Sequence, residues 1–156
     1  MTPEQAARVL FENPQASIDF EVIDEAAGRR AVEEFVRLFE NAPGIFKDVL
    51  DGARAGAETL SGDRLQGLAE IIQNADDTDA TFVEFQIIDG YLIAVHDGHL
   101  VTLSDVLSLA TPWLSNKTEN VLATGRFGIG LMTLRALAGV LDVHSGPYHM
   151  RLVLQP

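Results

Sequence analysis

Residues 65–79 read LQGLAEIIQNADDTD, and this stretch decides the fold class. Leu65, Leu68, Ile71, Ile72 and Ala75 recur at helical spacing, so the segment is an amphipathic helix. Glu70 and Asn74 stand four residues apart, which puts their side chains on one face of that helix. Asp77 follows where the apolar pattern stops. A face carrying two carboxylates and an amide oxygen suits a hard cation and a water better than a hydrophobic core.

Thr81 to Ile88 (TFVEFQII) and Tyr91 to Val95 (YLIAV), which follow this helix, are β-rich runs. Asp89-Gly90 joins them and favours a two-residue hairpin turn. The hairpin returns the chain to Val95-His96-Asp97-Gly98, so Asp97 is expected at a strand end with Gly98 permitting close backbone approach. Thr102-Leu103-Ser104-Asp105 opens a helix through Ala110, with Asp where a capping box usually has Glu or Gln. Residues 111–124 are polar, contain Pro112 and lack periodicity, as expected of a loop over a pocket. Gly125-Arg126-Phe127-Gly128-Ile129-Gly130 then enters a helix expected over Arg126 to Ala138. Strands are expected at Val140 to His144 and Tyr148 to Leu154.

The three motifs, Glu-x-x-x-Asn-Ala-x-Asp at 70–77, His-Asp-Gly at 96–98 and Gly-Arg-Phe-Gly-Ile-Gly at 125–130, occur in an order that resembles the GHKL, or Bergerat-fold, ATPase domains. The wording looks most like the sacsin-type branch and the ATP-binding domains of ninety-kilodalton heat-shock chaperones. The resemblance runs from about Leu65 to Val143. It implies an α+β fold, a two-layer sandwich of a mainly antiparallel sheet with helices on one face. It also implies a Mg2+-dependent ATP-binding and slowly ATP-hydrolysing switch module, chaperone-like, with ATP and ADP as cofactors. Asp97, with Gly98, would accept from the adenine amine. Asn74 would be the metal ligand, Glu70 the catalytic residue that orients and deprotonates water, and Asp77 a further cofactor-binding carboxylate.

Gly125, Arg126, Phe127, Gly128, Ile129 and Gly130 would meet the triphosphate, through backbone N–H groups at a helix start. Lys117 is a further candidate for a phosphate contact. Two wordings depart from the family pattern. The glycine is adjacent to Asp97 rather than spaced from it, and no late Gly-Thr pair is present. Two alternatives therefore stand beside the switch: a non-catalytic interaction domain with a degenerate nucleotide site, and a histidine-kinase-type catalytic domain.

The first third of the chain lies outside the resemblance. Thr2 and Pro3 open a short helix that Asn13-Pro14 ends. Ile18, Phe20 and Val22 alternate with acids, the pattern of a short strand or an extended arm. From Asp24 an apolar stripe through Ala27, Ala31, Phe35 and Leu38 marks a longer helix, and a second, weaker stripe follows from Ile45 to Ala53. Residues 1–156 are expected to form a single domain, with 1–60 a helical and arm region and 61–156 the nucleotide-binding core.

A formal charge of −12 argues against nucleic acid as a partner, since a phosphate backbone calls for a basic surface. A nucleotide, a second copy or a client protein remain compatible. No run reaches the length of a membrane span and the first residues lack a signal-peptide pattern, so a cytoplasmic location is expected. The absence of cysteine removes thiolate chemistry. The four histidines show no pair at helical metal-ligand spacing.

Overall fold

The computed structural model describes residues 1–44, 64–110, 134 and 137–153. The first helix, α1, spans Pro3–Glu12. The Thr2 hydroxyl accepts from the Gln5 N–H at 3.2 Å, and the Gln5 side-chain oxygen accepts from the Thr2 N–H at 2.9 Å. This reciprocal capping box, with Pro3 at the first position, fixes where the helix starts. The second helix, α2, spans Glu25–Glu40 and is capped by Asp24, whose Oδ1 accepts from the Ala27 N–H at 2.7 Å.

The two helices pack on each other, and Ala6, Ala7 and Leu10 of α1 share one buried core with Ala27, Ala31 and Phe35 of α2. Glu34 sits at their seam, where its carboxylate accepts from Arg8 at 2.5 Å and from Arg37 at 2.6 and 2.8 Å. The Arg37 and then the Arg8 hydrogen bonds hold its carboxyl down at about 2.

Between α1 and α2 the chain runs extended, and residues 16–23 join no strand. Of the two possibilities left by their alternating pattern, the extended arm is the one adopted. Val22 is buried and Ile18 and Phe20 pack on the core, so the alternation is satisfied by burial without a ladder partner.

Helix α3, Arg64–Asp77, is the one expected from the 65–79 stretch. Two strands follow, β1 (Val83–Ile88) and β2 (Tyr91–His96), paired antiparallel with Val83 opposite His96 and Ile88 opposite Tyr91. At the turn Asp89 and Gly90 have φ of +50° and +82°, the positive pair that a type I′ hairpin requires. The fourth helix, α4 (Leu103–Ala110), starts at Thr102, whose N–H and hydroxyl both donate to Asp105 Oδ2, at 2.9 and 2.7 Å. Asp105 therefore serves in the place of the longer Glu. Leu103, Val106 and Leu107 face the core.

The last hairpin pairs β3 (Val140–Ser145) with β4 (Tyr148–Val153), Ser145 opposite Tyr148. Its turn is Gly146-Pro147, with Gly146 at φ +52°. Gly28 lets α2 lie against this turn, because a Cβ there would collide with the Pro147 carbonyl. Tyr148 is buried beneath it, and burial pushes its phenol up to about 12.

The described residues are thus α+β, with four helices and two separate two-stranded antiparallel sheets. The mainly antiparallel strand pairing expected from the sequence is present among them as two hairpins that are not hydrogen-bonded to each other. The core lies between α1, α2, α4 and the inner face of β3–β4. Helix α3 and β1–β2 stand largely outside that core: Ala75 is buried, but Leu65, Ile72, Ile87 and Tyr91 are exposed. The helix expected over 126–138 falls mostly outside the described residues, and at 137–138 the chain turns on the Leu134 carbonyl. Among the described residues no helix is long and apolar enough to cross a membrane.

Candidate functional site

Helix α3 places Glu70, Asn74 and Asp77 within a sector of about 60°, as a turn of 100° per residue requires. All three are half-buried, and each is engaged with a neighbour. Ile72 and Asp76 project to another side, where with Thr81, Phe82 and Phe85 they line a shallow open depression of about 330 Å³.

The C-terminal end of α3 closes by a left-handed residue. Asp79 has φ +58°, the Ala80 N–H donates to the Ala75 carbonyl at 3.0 Å, and the Asp79 N–H donates to the Asp76 carbonyl at 2.9 Å. These are the paired bonds of a Schellman motif, here with Asp where Gly is commonest. The Thr78 hydroxyl adds a bond to the Ala75 carbonyl at 2.8 Å.

The loop after β2 docks on this helix end. The His99 N–H donates to the Thr78 carbonyl at 2.9 Å, and His99 Nε2 lies 3.2 Å from Asp79 Oδ2. Gly98 faces the Thr78 side chain so closely that a Cβ would overlap its hydroxyl. Glycine is needed here for space rather than for φ.

Asp97 points back toward the start of the hairpin. Its Oδ1 accepts from the backbone N–H of Thr81 at 2.8 Å and of Phe82 at 3.2 Å, and its Oδ2 accepts from the Thr81 hydroxyl at 2.6 Å. The Thr81 hydroxyl, and then the Thr81 and Phe82 backbone donors, hold its carboxyl below the usual range, against an opposing contribution from desolvation. Because these N–H groups go to Asp97, β1 begins at Val83 rather than at Thr81 as expected. A carboxylate has about four acceptor directions, two on each oxygen, so Oδ2 keeps one lone pair after the Thr81 bond.

The fold thus joins Asp97 and Gly98 to the end of the helix that carries Glu70, Asn74 and Asp77. Lys117, Gly125, Arg126, Phe127, Gly128, Ile129 and Gly130 lie outside the described residues, as does the 111–124 loop. Thr78 and Thr81 were not singled out by the sequence pattern. Thr81 was accessible from the register: extending the Val83 to His96 pairing outward by one step sets Phe82 opposite Asp97 and Thr81 beside it. Among the described residues no group of three or more His, Asp or Glu side chains is arranged to hold a metal ion. Compared with known proteins, the chain matches no family model, no curated protein and no solved structure.

Proposed function

We propose that the chain is a GHKL-type, Bergerat-fold module, a two-layer α/β sandwich that binds ATP with Mg2+ and hydrolyses it slowly as a conformational switch. The observation that carries this reading is the docking of the Asp97-Gly98 loop on the end of α3. Two motifs far apart in sequence are brought together by a His99 to Thr78 backbone bond and a glycine contact.

In this reading the free lone pair of Asp97 Oδ2 accepts a hydrogen from the adenine amine. The face of α3 supplies hard oxygen donors of the kind Mg2+ takes, usually one or two from protein with waters and phosphate completing the shell. Asn74 is the ligand and Asp77 adds a carboxylate beside it. When bound, the ion neutralises charge on the phosphate oxygens. Glu70 takes the proton of a water attacking the terminal phosphorus as the bond to the ADP oxygen breaks. Lys117, Arg126 and the glycine-rich 125–130 motif, which lie outside the described residues, are the sequence's candidates for the phosphate contacts.

Calorimetric titration of the full chain with MgATP tests the reading. Binding that Asp97→Asn abolishes and Glu70→Ala retains, with hydrolysis lost in the latter, is expected. No heat from a chain whose circular dichroism shows it folded would overturn it. One observation favours a second reading, an interaction domain without nucleotide: Asp97 is exposed and most of its acceptor capacity already serves Thr81 and Phe82. On that reading the Asp97 carboxylate closes the hairpin and nothing more.

A further inference from the structure

His144 and His149 stand five residues apart, off helical spacing, but the β3–β4 register sets them directly opposite each other. His144 pairs with His149 across the hairpin, and both rings lie on its exposed face. Their Nδ1 atoms are 2.9 Å apart, with ring centroids 5.2 Å apart. Two nitrogens at that separation, each about 2.0–2.1 Å from one ion, subtend an angle of about 90° there. Such an angle suits the tetragonal or octahedral shell of Ni2+ or Cu2+, and it is narrower than the tetrahedral angle that structural zinc prefers.

A second contact points the same way. Glu25, in the first turn of α2, places Oε1 3.5 Å from His149 Nε2. A carboxylate on the outer nitrogen favours the tautomer with its proton on Nε2, which leaves Nδ1 as a lone pair facing the partner ring. This is the arrangement in which metal-bound imidazoles are usually held. The neighbouring carboxylate does not compete: Asp142, one exposed pair further along the hairpin, is bound in a fork by Arg151 at 2.7 Å on each oxygen.

We infer that His144 and His149 form a two-imidazole chelate for a divalent late transition ion, Ni2+ or Cu2+, with Glu25 orienting His149 and water filling the remaining positions. In the ion's absence the same two nitrogens share a hydrogen bond, one ring donating and the other accepting. Binding at neutral imidazoles then needs only that the donor ring move its proton to Nε2. The inference does not depend on nucleotide binding.

Calorimetric titration of the full chain with nickel chloride tests it, using variants whose fold is checked by circular dichroism. One ion per chain is expected, with affinity lowered tenfold or more in His144→Asn and in His149→Asn, and no larger loss in the double variant. His96→Asn and His99→Asn leave the affinity unchanged. Equal losses in all four single variants, or no loss in His144→Asn, would overturn the chelate. Glu25→Gln is expected to weaken binding about tenfold, the lower end for an outer-shell partner. It also shifts the His149 imidazole toward a tautomer mixture in a two-bond proton–nitrogen NMR spectrum. An unchanged spectrum would remove Glu25 from the site.

Discussion

Gly98→Ala tests the contact on which the functional proposal rests. The new Cβ would overlap the Thr78 hydroxyl and press on Thr78 Cβ and His96 Nδ1. Relief has two routes. Thr78 can rotate and forfeit its 2.8 Å bond to the Ala75 carbonyl, or the loop can withdraw and forfeit the 2.9 Å His99 to Thr78 bond. Either loss costs about 0.5–1.5 kcal/mol, and the residual crowding brings the total to about 1–3 kcal/mol. Urea denaturation followed by circular dichroism reads that destabilisation directly. Thr78→Ala removes the nearest clashing atom, so Gly98→Ala costs less in that background, with a coupling of about 1 kcal/mol between the two sites. A full cost undiminished by Thr78→Ala, or no cost at all, would refute the docking of the 97–99 loop on α3. If the proposed nucleotide site is correct, Gly98→Ala also weakens MgATP binding under conditions where the chain stays folded.

Two further outcomes follow from the packing. Leu10 is 1 % exposed while Ile87 is 80 % exposed, so Leu10→Ala costs about 2–5 kcal/mol in urea denaturation and Ile87→Ala stays within about 0.5 kcal/mol. Glu34 titrates at about 2 in the folded chain against an ordinary value of 4.5, so its contribution to stability is present above 4.5 and is lost as pH falls toward 2. Glu34→Gln therefore lowers stability at neutral pH and flattens the acid limb of a plot of stability against pH; an unchanged acid limb would contradict the Arg8–Glu34–Arg37 seam.

Much of the local structure could be read from single residues whose chemistry acts over one turn. Thr2-Pro3 set the start of α1, Asp24 that of α2, and Asp89-Gly90 the β1–β2 register. Relations that depend on register or on docking were harder to see. The carboxylate of Asp97 meets Thr81 and Phe82 because the hairpin brings its two ends together, a consequence two steps removed from the turn that causes it. The proximity of His144 and His149 follows from the Gly146-Pro147 turn in the same way, whereas a search at helical spacing passes over it. The alternation at Ile18, Phe20 and Val22 left strand and arm open, since both bury every second side chain. Only the neighbouring chain decides whether a ladder forms. For Glu70, Asn74 and Asp77 the helix face was legible, because periodicity alone sets it.

The β1–β2 hairpin has a consequence for handling the isolated chain. Ile87, Ile88, Tyr91, Leu92, Ile93 and Val95 are all exposed, and among the described residues neither outer edge of the two-stranded sheet pairs with a further strand. Gln86 and Asp89 are the only polar residues between Phe85 and Ala94, so few gatekeepers oppose strand addition from another molecule. What opposes it is long-range: a charge of −12 keeps copies apart in dilute buffer, and salt shortens the reach of that repulsion to roughly 8 Å at physiological ionic strength. Colloidal stability of this chain should therefore fall as salt rises, and purification at low ionic strength, or Ile87→Lys, should reduce aggregation.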